Sequence, residues 1–443
     1  MKKTKLYDSV SQDNVCILTL DKTTLTIVNT VDGNTTTSEK KYDSEEEALD
    51  EYYETKWSIV AEGYNEESES IKATTELVDP KSDKICIISI EQAKLITENV
   101  NKGKSKITEK EFDSNEKAVN EYEKKVWATL KKGYIAHNEE AKPGEALLHR
   151  FLSYCYDGAL GFENTPQGIY IYRPDKEMPD ALVLLDRQGN LLNTIELPLQ
   201  LLPSMQYHAL TNNLYIQGWH DIYKYDLDTG EFTLLLKNEN KPVSFLSVWN
   251  EYIAYGSHPN WILEDRLGKA VYRQKFDVKI LSGSFPFCAV LSKNGKSLAM
   301  SCEEGKIQLY EMPAGKPVKI IEGDFPTVYQ MEFVDGDKTL VVQESHGKWR
   351  IRYFNVETGE EIRYKGLIVP AYSKDTTGFC FNEDESLMVQ QDNRWVYVFD
   401  YRLKKHLYTF ELEHCVKRAN VKFIDKNTLG VRTDYGCFSL YRI

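Results

Sequence analysis

From Asp186 to the end of the chain, short apolar runs alternate with polar breaks in a repeating order. An apolar strand closes on an acidic or amide residue, a turn follows, and a second strand begins. The series runs Leu185-Asp186 before Gln188-Gly189-Asn190, Tyr225-Asp226 before Asp228-Thr229-Gly230, and Leu263-Glu264 before Gly268. It continues with Tyr310-Glu311 before Gly315, Phe354-Asn355 before Thr358-Gly359, Phe399-Asp400 before Lys404-Lys405, and Leu440-Tyr441 at the end. The polar marks lie 40, 38, 47, 44, 45 and 41 residues apart. Repeats of this length with four short strands each predict a β-propeller, here of seven blades.

Each full unit supplies two further strands ahead of this hairpin, for example 243–248 with 252–256, and 288–291 with 297–302. The four strands of a unit are called a to d in chain order. The last unit ends at Ile443 after its strand c. The spare apolar run at 146–156 precedes the first unit, so its part near 147–153 is expected to complete the last one. Closure of that kind removes sheet edges that would otherwise pair between molecules.

The N-terminal third has a different period. Residues 15–64 and 85–134 repeat at an offset of 70 without gaps, identical at 16 of 50 positions. Each copy reads as a strand, a second apolar segment around Leu25 or Leu95, a turn at Gly33 or Gly103, and a polar run to Tyr42 or Phe112. A helix follows. Ser44 and Glu47 have capping-box spacing, Ala48, Leu49, Tyr52 and Val60 fall on one face, and Gly63 or Gly133 stops it. Residues 65–83 and 135–146 read as polar connectors. The expected fold is therefore mainly β with small α+β modules: module 1 at 1–70, module 2 at 71–140, and a propeller at 147–443.

The run Tyr42-Asp43-Ser44-Glu45-Glu46-Glu47-Ala48, with Tyr52, Trp57 and Gly63-Tyr64, resembles the second half of a WGR domain. Its partner from Phe112 to Gly133-Tyr134 does the same. In that family a Trp-Gly-Arg strand precedes the Gly turn and the helix, and some members bind DNA ends. The triplet positions hold Thr26-Ile27-Val28 and Ile96-Thr97-Glu98 here. Without the Trp and Arg, the family's nucleic-acid contacts do not carry over. Trp57 and Trp127 are expected to close each helix onto its own sheet. The C-terminal units resemble degenerate WD40 repeats, with Tyr225-Asp226 and Phe399-Asp400 where a Trp-Asp pair would stand.

Charge argues in the same direction. The chain carries a net −13, and residues 1–140 hold 29 Asp/Glu against 20 Lys and no Arg. Phosphate binding rests on Lys and Arg displacing counterions, so nucleic-acid binding through the WGR-like pair is an alternative that the charge opposes. The start of the chain has no apolar segment of signal-peptide type, no apolar run suggests a membrane span, and the eight cysteines form no Cys-x-x-Cys pair. A cytoplasmic protein with reduced thiols is the expectation.

Catalytic motifs reduce to turns. Asp228-Thr229-Gly230 matches an aspartic-protease signature but sits where the other units turn. Gly295-Lys296-Ser297 has Val290 where a P-loop needs glycine. His414-Cys415 read as neighbours on a strand end, pointing to opposite faces, so neither metal nor cofactor is expected. A propeller enzyme with a channel-mouth site is a further alternative. What remains is the set of b–c connections, which carry Trp219, His220, His258, Trp261, His346, Trp349, Arg394 and Trp395. Aromatic and cationic side chains on one rim suit a protein or peptide partner, because Trp, Tyr and Arg supply most interface energy. The sequence therefore reads as a non-catalytic interaction scaffold.

Overall fold

The computed structural model describes residues 2–8, 11, 13–65, 72–154, 160–174, 179–198, 204–237, 243, 245–249, 251–257, 260–275, 288–302, 305–344, 350–369, 377–415 and 418–443. It is mainly β, built of many small antiparallel sheets with two long helices among the described residues.

The first helix, α1 (Glu45–Ala61), starts where the sequence places it. Ser44 Oγ accepts from the Glu47 amide at 3.1 Å, satisfying one of the free N–H groups of the first turn. The Glu47 carboxylate reaches back to the Asp43 amide at 3.3 Å, one residue ahead of the expected box. The second helix, α2 (Asn115–Leu130), repeats the cap through Ser114 and Lys117. Gly63 and Gly133 follow with φ of 100° and 96°, a region that glycine enters without steric cost.

Each helix covers one sheet. In module 1 the strand order is Asn34–Lys41, Thr24–Val31, Val15–Asp21, Lys2–Asp8 and Tyr64–Asn65. Module 2 reproduces it with Lys104–Glu111, Lys94–Asn101, Ile85–Glu91, Lys72–Val78 and Ile135–His137. The likeness extends to single bonds. Tyr52 Oη meets Thr4 Oγ1, and Tyr122 Oη meets Thr75 Oγ1, both at 2.5 Å. Thr4 faces Leu18 across the ladder and Thr75 faces Ile88. The duplication thus includes a strand before residue 15, shifted by one residue because the loops ahead of 15 and 85 differ in length.

Two stretches expected as connectors are strands. Lys72–Val78 adds to the module 2 sheet, anchored by the fully buried Leu77. Ile135–His137 pairs with it on one side and with Ala146–Phe151 on the other. The module 2 sheet therefore runs without a break into the C-terminal array. Its nine strands end in Ala146–Phe151, Cys437–Arg442, Thr428–Thr433 and Ala419–Asp425.

Among the described residues, the array holds six further four-stranded antiparallel sheets, at 162–196, 204–237, 245–275, 289–322, 328–362 and 377–411. We number these 1 to 6 and the last four strands of the nine-stranded sheet 7. The expected partner of the final strand is in place: Ala146–Phe151 pairs antiparallel with Cys437–Arg442 as the fourth strand of sheet 7.

Buried apolar layers join each sheet to the next. Tyr172 and Leu182 meet Leu214 and Ile216 between sheets 1 and 2, and Tyr215 and Ile222 meet Val248 and Ile253 between sheets 2 and 3. Trp261 and Leu263 meet Leu298 and Met300, then Ile307 and Leu309 meet Phe333 and Leu340. Val341 and Tyr353 meet Met388 and Tyr397, then Val389 and Val398 meet Val421 and Leu429. Finally Ile171 and Val183 of sheet 1 meet Phe438 and Leu440 of sheet 7, with Phe162 and Phe438 edge to face at 5.3 Å. Apolar burial of this kind is the main favourable term, so the order of sheets is fixed by their side chains.

The c–d turns follow the expected chemistry. Asp226 accepts from the Asp228 and Thr229 amides at 2.9 Å, and Gly230 closes the turn at φ 74°. Asp186 and Asn355 do the same for their turns. In the third unit the turn is capped by Asp265 rather than Glu264. Glu264 instead accepts from Tyr255 Oη at 2.7 Å. Asp265 is three residues ahead of Gly268, whereas Asp226 and Asn355 each lie four residues ahead of Gly230 and Gly359.

Candidate functional site

The eight rim residues separate into different environments. Trp219 and His220 occupy the tight connection between Asn213–Gln217 and Asp221–Asp226, closed by the Gly218 amide on the Asp221 carbonyl at 2.8 Å. Trp219 is 49% exposed, and its ring meets that of His220 edge-on at 6.4 Å. Its carbonyl accepts from the Val243 amide at 2.8 Å, which fixes the backbone while leaving the indole outward.

Trp261 corrects the rim assignment. It is 1% exposed and lies between Tyr272 and Tyr310 in the layer joining sheets 3 and 4. A Trp at the start of strand c packs inward when its register places it on the face shared with the next sheet. Trp395 is half-buried against the apolar layer shared with module 1. Arg394 is spent within the molecule, its Nη2 at 2.9 Å from Glu411 and 3.9 Å from Glu123 on α2. His258, His346 and Trp349 lie outside the described residues.

Trp57 and Trp127 do more than close their own helices. Trp57 is fully buried against Tyr397, Phe399 and His406 of sheet 6. Trp127 stacks on Tyr435 at 4.6 Å and donates its indole N–H to the Tyr435 carbonyl at 3.2 Å. Equivalent residues of the duplication thus dock their modules on sheets 6 and 7.

Beside α2, three ligating side chains converge that the sequence reading kept apart. His149 lies on the strand completing sheet 7, while Glu413 and His414 follow the last strand of sheet 6. One donor atom from each falls within 4.8 Å of the others. His149 Nε2 is 3.4 Å from Glu413 Oε2, and its Nδ1 bonds Ser439 Oγ at 2.7 Å. The two imidazoles meet edge to face, with centroids 4.9 Å apart.

His414 has φ of 51° and is not in an extended strand, so the alternation that would separate neighbouring side chains does not operate. Its carbonyl accepts from Thr433 Oγ1 at 2.6 Å, and its Nε2 is buried without a hydrogen-bond partner. Burial, then the neighbouring His149, push the His414 imidazole down to about 3. Burial alone would raise Glu413, but the two imidazoles hold it below the usual carboxylate range. Burial raises Glu123 and Glu411 despite Arg394, and the surrounding carboxylates add to that rise.

A second polar group combines the first strands of sheets 1, 5 and 7 with the a–b turns of sheets 4 and 6. Lys422 Nζ is 2.8 Å from Glu163, and Lys293 bonds Glu385 and lies 3.8 Å from Glu332. Burial pushes Glu332 up to about 7, with Lys293 opposing the shift and Glu385 reinforcing it. Such periodic strands display carboxylates that no motif marks; only the placing of each strand a beside the next brings them together. Tyr329, which follows Val328 in the first strand of sheet 5, is 57% exposed.

The turn readings hold at both catalytic look-alikes. Asp228-Thr229-Gly230 is the turn capped by Asp226, and Ser292 to Ser297 forms the turn between strands a and b of sheet 4, with Gly295 at φ 70°. No protein-family model and no characterised protein matches this chain.

Proposed function

We propose that the seven sheets form a seven-bladed, WD40-like β-propeller, preceded by two WGR-like modules, which acts as a non-catalytic scaffold for a protein or peptide partner. The ring reading is supported by the succession of apolar layers that returns from sheet 7 to sheet 1. The binding reading is carried by one observation: Trp219, half exposed beside His220, on a connection whose backbone is held from both sides. An indole kept in water by a rigid turn is the kind of anchor that interfaces bury. The acidic charge argues against nucleic acid. Among the described residues, no helix is long and apolar enough to cross a membrane.

The test is a double substitution, Trp219→Ser with His220→Ser. A partner recovered by co-purification and identified by mass spectrometry is purified and titrated against both proteins. The expected result is more than about tenfold weaker binding, roughly one hot-spot side chain's worth, with an unchanged melting temperature. Equal affinity would overturn this use of the rim.

A further inference from the structure

We propose that His149, Glu413 and His414 form a binding site for a divalent transition-metal ion of the Zn2+ type, which ties the strand completing sheet 7 to the exit of sheet 6. Two imidazoles and one carboxylate are a recurring donor set for Zn2+, with bonds of about 2.0–2.2 Å and a fourth position left for water or a ligand. Donors around a tetrahedral ion with such bonds stand about 3.3 Å apart. His149 Nε2 and Glu413 Oε2 are already 3.4 Å apart, and the third donor falls within 4.8 Å of both. A movement of up to about 1.5 Å by His414 brings its donor to that spacing and completes the set.

Three further features support a cation here. The first is His414 itself: only 7% exposed, with its Nε2 buried and lacking any hydrogen-bond partner. A buried polar atom left in that state costs free energy unless something fills the gap. The second is the support around His149, whose Nδ1 is engaged by Ser439 Oγ, so the ring's orientation is set and Nε2 faces the centre. The third is charge. Among the described residues, Arg394 pairs with Glu411 at 2.9 Å and stands 3.9 Å from Glu123, and the Glu413 carboxylate adds its charge to both of these carboxylates. A divalent ion would offset that added charge.

The open side of the site is at Glu413, whose side chain is 39% exposed, so the ion would enter there. Its ligands come from distant parts of the chain, and binding would therefore favour the closed arrangement over the unfolded chain.

The experiment uses the full chain, stripped with a chelator and titrated with ZnCl2 by calorimetry and with CoCl2 by visible absorption. One equivalent of Zn2+ is expected to bind and to raise the melting temperature, and Co2+ is expected to show the d–d bands of a low-coordinate site. Glu413→Gln, at a part-exposed position, and His414→Gln should each weaken binding by at least about 100-fold, the upper end for loss of a supporting contact. Ser439→Ala, a small change, should weaken it about 10–100-fold. Absence of one-to-one binding by the wild type would overturn the proposal, as would unchanged affinity in folded Glu413→Gln or Ser439→Ala.

Discussion

Glu332 makes the fold sensitive to pH in a direction opposite to most carboxylates. Its carboxyl ionises at about 7 in the folded protein, raised from 4.5 chiefly by burial. A raised carboxylate pKa means that the native state binds the proton more tightly than the unfolded chain does. Stability is therefore greatest below 4.5 and falls as pH rises through the window from 4.5 to 7. At 1.36 kcal/mol per unit, the loss reaches about 3 kcal/mol. Glu332→Gln removes the charge without changing the shape, and Lys293 keeps its bond to Glu385. The variant should match wild type near pH 4 and exceed it by up to about 3 kcal/mol at pH 8. For a chain of this length that is several degrees of melting temperature, at roughly 1–2 °C per kcal/mol. Thermal unfolding of both proteins at four pH values from 4 to 8 measures the difference directly. A difference that stays constant with pH, or a variant less stable at pH 8, would refute the assignment of burial as the dominant cause.

Other substitutions test the packing. Trp57→Ala empties a fully buried site between module 1 and sheet 6 and should cost about 3–5 kcal/mol in chemical denaturation. Trp127→Ala, at a half-buried site, should cost roughly half as much. Leu148→Asp places a charge in a strand paired on both edges, at a side chain only 2% exposed, and should cost more than about 3 kcal/mol. Sedimentation velocity should then show larger species as freed strand edges pair between molecules. The Cys16 thiol, buried and pushed up to about 11, should resist alkylation at pH 8 in the native protein and react only on unfolding. Peptide mapping by mass spectrometry reads that outcome.

Much of the architecture is legible in the chain because it depends on local, periodic signals. The c–d turns announce themselves through Asp226, Asn355 and their glycines, since the carboxylate or amide must meet backbone amides a fixed distance ahead. The missing fourth strand of the last unit likewise pointed to the residues that fill it. Short strands with few apolar residues do not announce themselves. Among its described side chains, Lys72–Val78 has one fully buried, Leu77, and the strand owes its structure to neighbours on both edges. Ile135–His137 is too short to show a period at all.

The site beside α2 was illegible for a different reason. Its donor side chains come from two segments far apart in the chain, and the pairing of Ala146–Phe151 with Cys437–Arg442 brings His149 to Glu413. The rim assignment failed at Trp261 on a matter of register, because one residue's displacement along a strand turns an indole from solvent to core.

The two copies of the duplicated module attach to the array in different ways. Strand Ala146–Phe151 lies between two partners, with Cys437–Arg442 on one edge and Ile135–His137 on the other. A strand at the end of a sheet with a free outer edge can exchange with solvent or with another molecule; here the module 2 sheet occupies that edge. Among the described residues, module 1 has no such continuation. Its last strand, Tyr64–Asn65, ends the sheet, and attachment falls to Trp57 and the side chains of sheets 5 and 6. One copy is therefore joined to the array by main-chain hydrogen bonds in addition to the packing of Trp127, and the other by apolar packing. These two attachments should respond differently to denaturant and to cold, since apolar burial weakens on cooling while the ladder bonds do not depend on it in the same way. Hydrogen exchange at 5 °C and 25 °C should show a larger loss of protection in module 1 than in module 2 on cooling. Equal change in both modules would mean that the continuous sheet adds nothing to the docking of module 2.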